Sequence, residues 1–122
     1  MALRQFEIAR GTPLPITSTF TINGAVFPLT GCRVVFRAVV NLNDPDSVAV
    51  SLLDNQGLGG VVVPNPNGNV ATSTMPASAT YSLPTSVTKL FYEVWVRDPS
   101  GNPWRTERGT ILLVGRGMVA QP

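Results

Sequence analysis

The chain has 122 residues, the length of one ordinary domain and enough to bury a core without disulfides or metals. Its 43% apolar content excludes disorder, while only 13% is Lys, Arg, Asp or Glu, about half the usual share. The net charge is +2, and the cations, all arginine except Lys89, are scattered without a basic cluster, which excludes a nucleic-acid footprint.

The dominant signal along the chain is period-2 alternation broken at short intervals by Gly, Pro and Asn. Phe6 and Ile8 begin the first run, which ends at Gly11-Thr12-Pro13. Ile16, Ser18, Phe20 and Ile22 then alternate with Thr17, Thr19 and Thr21, and Asn23-Gly24 closes the run with the dipeptide most favoured in a tight hairpin. Val26-Phe27-Pro28-Leu29 is a short apolar segment, turned by Thr30-Gly31. The clearest strand runs from Cys32 to Val40, with Cys32, Val34, Phe36, Ala38 and Val40 inward and Arg33 and Arg37 on the other face.

The loop from Asn41 to Asp46 leads to an expected strand over Val48 to Leu53, and a Gly-rich turn from Asn55 to Gly60 precedes Val61-Val62-Val63. Pro64 to Asn69 is loop chemistry throughout, and Val70 to Met75 is a further strand. Pro76 to Ser82 allows one short helical turn, because Pro76 suits a first-turn position and Leu83-Pro84 stops it. Lys89 to Arg97 alternates again, with Leu90, Tyr92, Val94 and Val96 on one face and Phe91, Glu93 and Trp95 on the other. Two apolar faces fit either a central strand covered on both sides or an aromatic patch used for contact. Asp98-Pro99-Ser100-Gly101 is a turn, and Trp104 to Glu107 with Thr110 to Val114 is expected to form a last hairpin around Arg108-Gly109.

These runs predict one all-β domain over residues 1–122, an antiparallel sandwich of about seven to nine short strands. Residues 1–5 and 115–122 are expected as terminal arms. No internal repeat or linker divides the chain.

The chemistry of catalysis is missing. There is no histidine, the commonest general base and metal ligand, and the single cysteine, Cys32, sits in an alternating apolar run where it serves as a small buried hydrophobe. The acidic residues show no paired-carboxylate spacing, and Asp44-Pro45-Asp46 is far shorter than a calcium loop. Gly57, Gly59 and Gly60 do not lead from a strand into a helix, so they are turn glycines. No enzyme, cofactor or metal site is expected. The amino terminus lacks the basic, apolar and small-residue regions of a secretory signal, and no apolar run approaches a membrane helix. Synthesis in a cytoplasm without a signal peptide is the expectation.

Four segments resemble, in order, the small Ig-like domains encoded among tailed-phage structural genes, related to the amino-terminal part of baseplate upper proteins. They are Phe6-Glu7-Ile8-Ala9-Arg10-Gly11-Thr12, the stretch Ala25 to Phe36 with Phe27-Pro28-Leu29-Thr30-Gly31, the stretch Leu90 to Gly101, and the closing Arg108-Gly109-Thr110-Ile111-Leu112-Leu113-Val114. The chain departs from the pattern at Thr88-Lys89, where that family has a small residue and glycine, and at Thr12, where an acid is common. The resemblance implies an Ig-like sandwich that acts as a structural protein of the virion, at the tail or baseplate or as a head decoration (cement) protein, with self-association and other virion proteins as partners.

The low-charge surface and the preference for Arg over Lys agree with such packing. Expected interface residues are Leu3 and Arg4 at one end, Met118 and Val119 at the other, and Phe91, Trp95 and Trp104. The alternative is a host-glycan or receptor-binding module that uses Trp95 or Trp104 as a stacking platform. Neither nucleic acid nor membrane is an expected partner.

Overall fold

The computed structural model describes residues 3–22, 24–65 and 68–115. Their strands are β1 (Leu3–Ala9), β2 (Leu14–Thr19), β3 (Thr21–Ile22), β4 (Ala25–Val26), β5 (Arg33–Val39), β6 (Ser51–Asp54), β7 (Val61–Val62), β8 (Val70–Met75), β9 (Lys89–Arg97) and β10 (Pro103–Val114). A front sheet has the order β1-β10-β9-β5-β6, a back sheet has β2-β8-β7, and β3 pairs with β4 as a separate hairpin. The fold is an Ig-like β-sandwich. Among the described residues helix is confined to α1 (Ser78–Tyr81), inside the predicted stretch, and one 3-10 turn at Asp46–Val48.

Alternation sets the two layers. In β2 every second residue from Leu14 is buried, and in β9 Leu90, Tyr92, Val94 and Val96 turn inward. They meet Ile16, Phe20, Phe36, Met75 and Ile111 in one core. Tyr92 lies at its centre, stacked on Phe36 at 5.8 Å between ring centroids and tilted against Phe6 at 5.9 Å. Fully burying one such side chain contributes about 2 kcal/mol. The hairpin of β3 and β4 forms as expected, with Ile22 opposite Ala25 and Gly24 at a φ of +79°, a conformation that costs glycine nothing. Cys32 is buried as expected, and desolvation, then the charge of Asp98, pushes its thiol above the ordinary range.

Four local expectations are corrected. Residues 3–5, expected in a terminal arm, open strand β1 and pair with β10 in the front sheet. Val48 does not open a strand: Asp46–Val48 wind into the 3-10 turn, Val48 is exposed, and β6 begins only at Ser51. Trp104–Glu107 and Thr110–Val114 are not two strands of a hairpin but one continuous strand, β10, which runs straight through Arg108-Gly109. Finally, not every pair is antiparallel, because β1 runs parallel to β10, with Leu3 opposite Arg108 and Ala9 opposite Val114.

Gly109 explains the last two. A Cβ there would sit 2.1 Å from the Arg4 carbonyl oxygen and 2.7 Å from the Tyr92 ring, so the glycine marks a close approach inside the sheet rather than a turn. The crossing from β1 to β2 is held by a buried arginine. Arg10, 6% exposed, donates to the carbonyls of Pro84 (3.3 Å), Thr85 (3.2 Å) and Val87, while the Gly11 amide donates to the buried Thr80 hydroxyl at 2.9 Å.

Candidate interaction face

The outer face of the front sheet gathers most of the described charge and two aromatic rings. Pairing in register places residues on one side, so β9 sets the rows. Arg97 lies opposite Arg33, Trp95 opposite Val35, Glu93 opposite Arg37, and on the other flank Glu93 lies opposite Arg108. Phe91, Glu93 and Trp95 are half-buried. The strand is central in its sheet, yet among the described residues no layer covers this second face.

A groove of about 450 Å³ runs along Val35, Leu52 and Trp95, bordered by Arg33, Arg37 and Arg97. A second hollow of about 480 Å³ lies above it between Phe91, Leu42 and Arg108, with Leu42 exposed. Ion pairs fix Arg33, Arg37 and Glu93. Arg37 contacts Asp46 at 2.7 Å and Glu93 at 3.4 Å, while Arg33 contacts Asp54 at 2.8 Å. Lys89 lies over the Phe91 ring, 5.1 Å from its centre, a favourable cation–π placement.

Asp54 anchors the edge of this face. Burial pushes its carboxyl up, but the Leu58 amide, the Arg33 guanidinium and the Gln56 and Gly57 amides outweigh that and hold its pKa at about 2. Its Oδ1 accepts all three amides within 2.7–3.1 Å, closing the loop after β6. Asn55 continues the device by accepting from the Val34 amide at 2.8 Å and donating to the Cys32 carbonyl at 3.1 Å, so it stands in for a neighbouring strand.

The inner side of the same sheet hides a polar clamp. A bulge between Arg105 and Glu107 moves the register by one residue. Regular pairing would set Glu107 on the outer face against Glu93; the bulge turns it inward, opposite Val94. There Glu107 Oε2 accepts from the Tyr92 hydroxyl at 2.5 Å and from Arg4 at 3.0 Å, and Arg4 also reaches across the sandwich to the Thr17 carbonyl at 2.9 Å. Desolvation, then the Glu107 carboxylate, push the Tyr92 phenol far above its ordinary range, favouring the protonated form that donates to Glu107.

The expected interface residues therefore separate. Phe91 and Trp95 share the outer front face. Arg4 is turned into the clamp, and Leu3 is placed by its backbone opposite Arg108. Trp104 lies opposite the inward Val96, at the end of the sandwich, 44% exposed and edge-on to Phe27 at 6.5 Å, with its indole donating to Asp98. Met118 and Val119 lie outside the described residues. Sequence reasoning set Arg33 and Arg37 on the outer face but missed their ion pairs, the row partner Arg97, and the inward turn of Glu107.

No protein-family model matches the chain, and no curated protein sequence matches it. Among solved structures it is similar to the NK cell receptor Nkp44, described as a triggering partner in natural cytotoxicity, at a TM-score of 0.61 and 10% identity over 93% of this chain and 100% of that one. It also matches extracellular domains 3–5 of Drosophila OTK at a TM-score of 0.41 and 15% identity, over 91% of this chain and 33% of that one. The first likeness shows the Ig-like fold.

Proposed function

We propose that this domain is a non-enzymatic assembly module of a tailed-bacteriophage particle, in the tail or baseplate region or on the head as a decoration protein. The observation that carries the reading is the ordered set of motifs from Phe6 to Val114, whose strands and turns fall in sequence on an Ig-like sandwich. The use of the acids supports it: Asp46 and Glu93 meet Arg37, Asp54 closes a loop, Asp98 caps the turn to Asn102, and Glu107 sits in the clamp. Each is tied to architecture rather than poised towards a substrate. The outer front face, with its aromatic rings and arginines, has the composition of protein–protein contacts.

Co-expression with the proteins of neighbouring genes tests the reading. The expected result is a stoichiometric complex with a capsid or tail protein, and recovery of the chain from purified particles by mass spectrometry. Neighbouring genes that encode no virion component, together with absence from the particle, would sink it. A host-glycan platform is the second reading, favoured by the exposed Trp104 ring. Glycan-array binding that disappears in a folded Trp104→Ala variant would favour that reading instead.

A further inference from the structure

We propose that the outer face of the front sheet binds a second copy of this chain, face to face, about a two-fold axis that crosses the strands at Trp95. The inference deepens the assembly reading by naming one partner, and it can fail separately from that reading.

The central strand carries the signal. Glu93, Trp95 and Arg97 alternate onto the outer face of β9, with opposite charges two residues to either side of one large ring. This order is self-complementary. A two-fold axis lying between the sheets, perpendicular to the strands and level with Trp95, maps Trp95 onto its own copy and Glu93 onto Arg97 of the other chain, twice. Within one chain Arg97 is poorly placed: it lies in register beside Arg33, a like-charge pair, and has no acidic partner among the described residues. Like charges directly opposite on a sheet are destabilising. The second copy supplies the carboxylate that the first lacks.

Of the two neighbouring strands β5 is compatible, whereas on β10 the register lays Arg105, opposite Trp95, over its own copy and Arg108 over Pro103. The same operation lays Arg33 over Arg37 of the other copy, but Arg33 is already paired with Asp54 and Arg37 with Asp46. The Asp46 side chain is 67% exposed. Two ion pairs therefore meet, rather than two bare cations. Val35, Trp95 and the exposed Leu42 provide apolar contact around them.

Dimensions permit the contact. Strands spaced about 4.8 Å apart and rising about 3.3 Å per residue give the face roughly 500 Å² of flat area, so the two copies together bury about 1,000 Å², the lower bound of specific interfaces. Sheets packed face to face cross at about 30°. Glu93 and Arg97 lie about 7 Å from the axis, so this crossing displaces them by only about 3–4 Å, within reach of an arginine side chain.

Sedimentation equilibrium over a concentration series tests the proposal with the whole chain. The parent is expected to associate as a dimer, and Arg97→Glu to raise the dissociation constant roughly tenfold or more, because symmetry doubles each new repulsion. Monomer stability should not fall, since the substitution sets an opposite charge in register beside Arg33 in place of a like one. Mixing Arg97→Glu with Glu93→Arg should restore association as a heterodimer that neither variant forms alone. Trp95→Ala should also abolish the dimer. If Glu93→Arg fails to fold because it loses its contact with Arg37, Arg97→Glu and Trp95→Ala decide the matter against the parent. A chain that stays monomeric at every concentration overturns the proposal, and so does a dimer indifferent to both Arg97→Glu and Trp95→Ala. A monomer that still binds a capsid or tail protein removes this inference and leaves the assembly reading standing.

Discussion

The two sheets share one core yet differ in how they meet their surroundings. On the back sheet the outward residues of β2 and β8 are Pro15, Thr17, Thr19, Val70, Thr72 and Thr74, with Val62 beside them on β7. None is charged. The front sheet shows Glu7, Arg33, Arg37, Lys89, Glu93, Arg97 and Arg108 around its aromatic rings. Among the described residues the charge is thus unevenly distributed, and the front face offers a charge pattern that can select a partner. The inner sides differ as well. The front sheet engages its buried polar groups in the Tyr92–Glu107–Arg4 clamp, whereas the back sheet buries the hydroxyls of Ser18 and Ser73 with no hydrogen-bond partner among the described residues.

The attachment of β1 to the front sheet is the feature most easily broken. Gly109→Ala places a methyl group on the Arg4 carbonyl and the Tyr92 ring, and neither backbone nor core can move aside cheaply. The expected loss is about 4 kcal/mol in denaturant unfolding. Hydrogen exchange should show the amides of residues 4–9 losing protection, while β2 and β8 keep theirs. Uniform loss across both sheets would mean that the layers unfold as one unit. Next in size is the crossing between the layers. Arg10→Met keeps much of the volume but leaves the Pro84, Thr85 and Val87 carbonyls without their donor, an expected cost of about 3 kcal/mol. A loss below about 0.5 kcal/mol, the range of ordinary surface substitutions, would show that water replaces the guanidinium without penalty.

What the sequence discloses and what it hides follow the same division. Period-2 runs and turn dipeptides locate β2, β5, β8, β9 and the hairpin of β3 and β4, because each is a local pattern. The shared outer face of Phe91 and Trp95 is equally local. Hidden are the features that depend on a distant partner. Arg108-Gly109 has the chemistry of a turn, and only the arrival of β1 from residues 3–9 makes it the middle of a strand. Glu107 is inward because Thr106 is an extra residue, and a bulge leaves no mark in alternation except an apparent break. Arg10 resembles any surface arginine until three carbonyls from residues 84–87 enclose it. Val48 fails for a related reason: an apolar residue between turn formers looks like a strand edge, but Pro45 and Asp46 wind the chain first. Arg97 becomes interesting only when register sets it beside Arg33.

Acid should separate the sheets in a further way. Asp54 belongs to the front edge, and its pKa of about 2 lies below the ordinary value for an unfolded chain. A carboxyl depressed on folding contributes stability that is complete above its unfolded pKa and is lost as pH falls towards the folded one. Between about pH 4 and pH 2 the protein should therefore lose about 2 kcal/mol from this group. In Asp54→Asn that segment of the stability curve should flatten, because the amide side chain does not titrate there. A slope equal to that of the parent would assign the acid sensitivity to other carboxylates.

The smallest effect concerns the back sheet and has the opposite sign. Ser73 and Ser18 point into the core from β8 and β2, beside Ile16, Ala71 and Met75, and their hydroxyls have no partner among the described residues. An unsatisfied buried hydroxyl costs about 1 kcal/mol or more. Replacing it by a methyl hydrogen removes that cost and leaves a void much smaller than a methylene. Ser73→Ala and Ser18→Ala should each stabilise the protein by about 0.5 kcal/mol, and the effects should add within error if the two sites are independent. Destabilisation in both variants would mean that the hydroxyls are hydrogen-bonded inside the sandwich, in which case the back sheet would match the front in satisfying its buried polar groups.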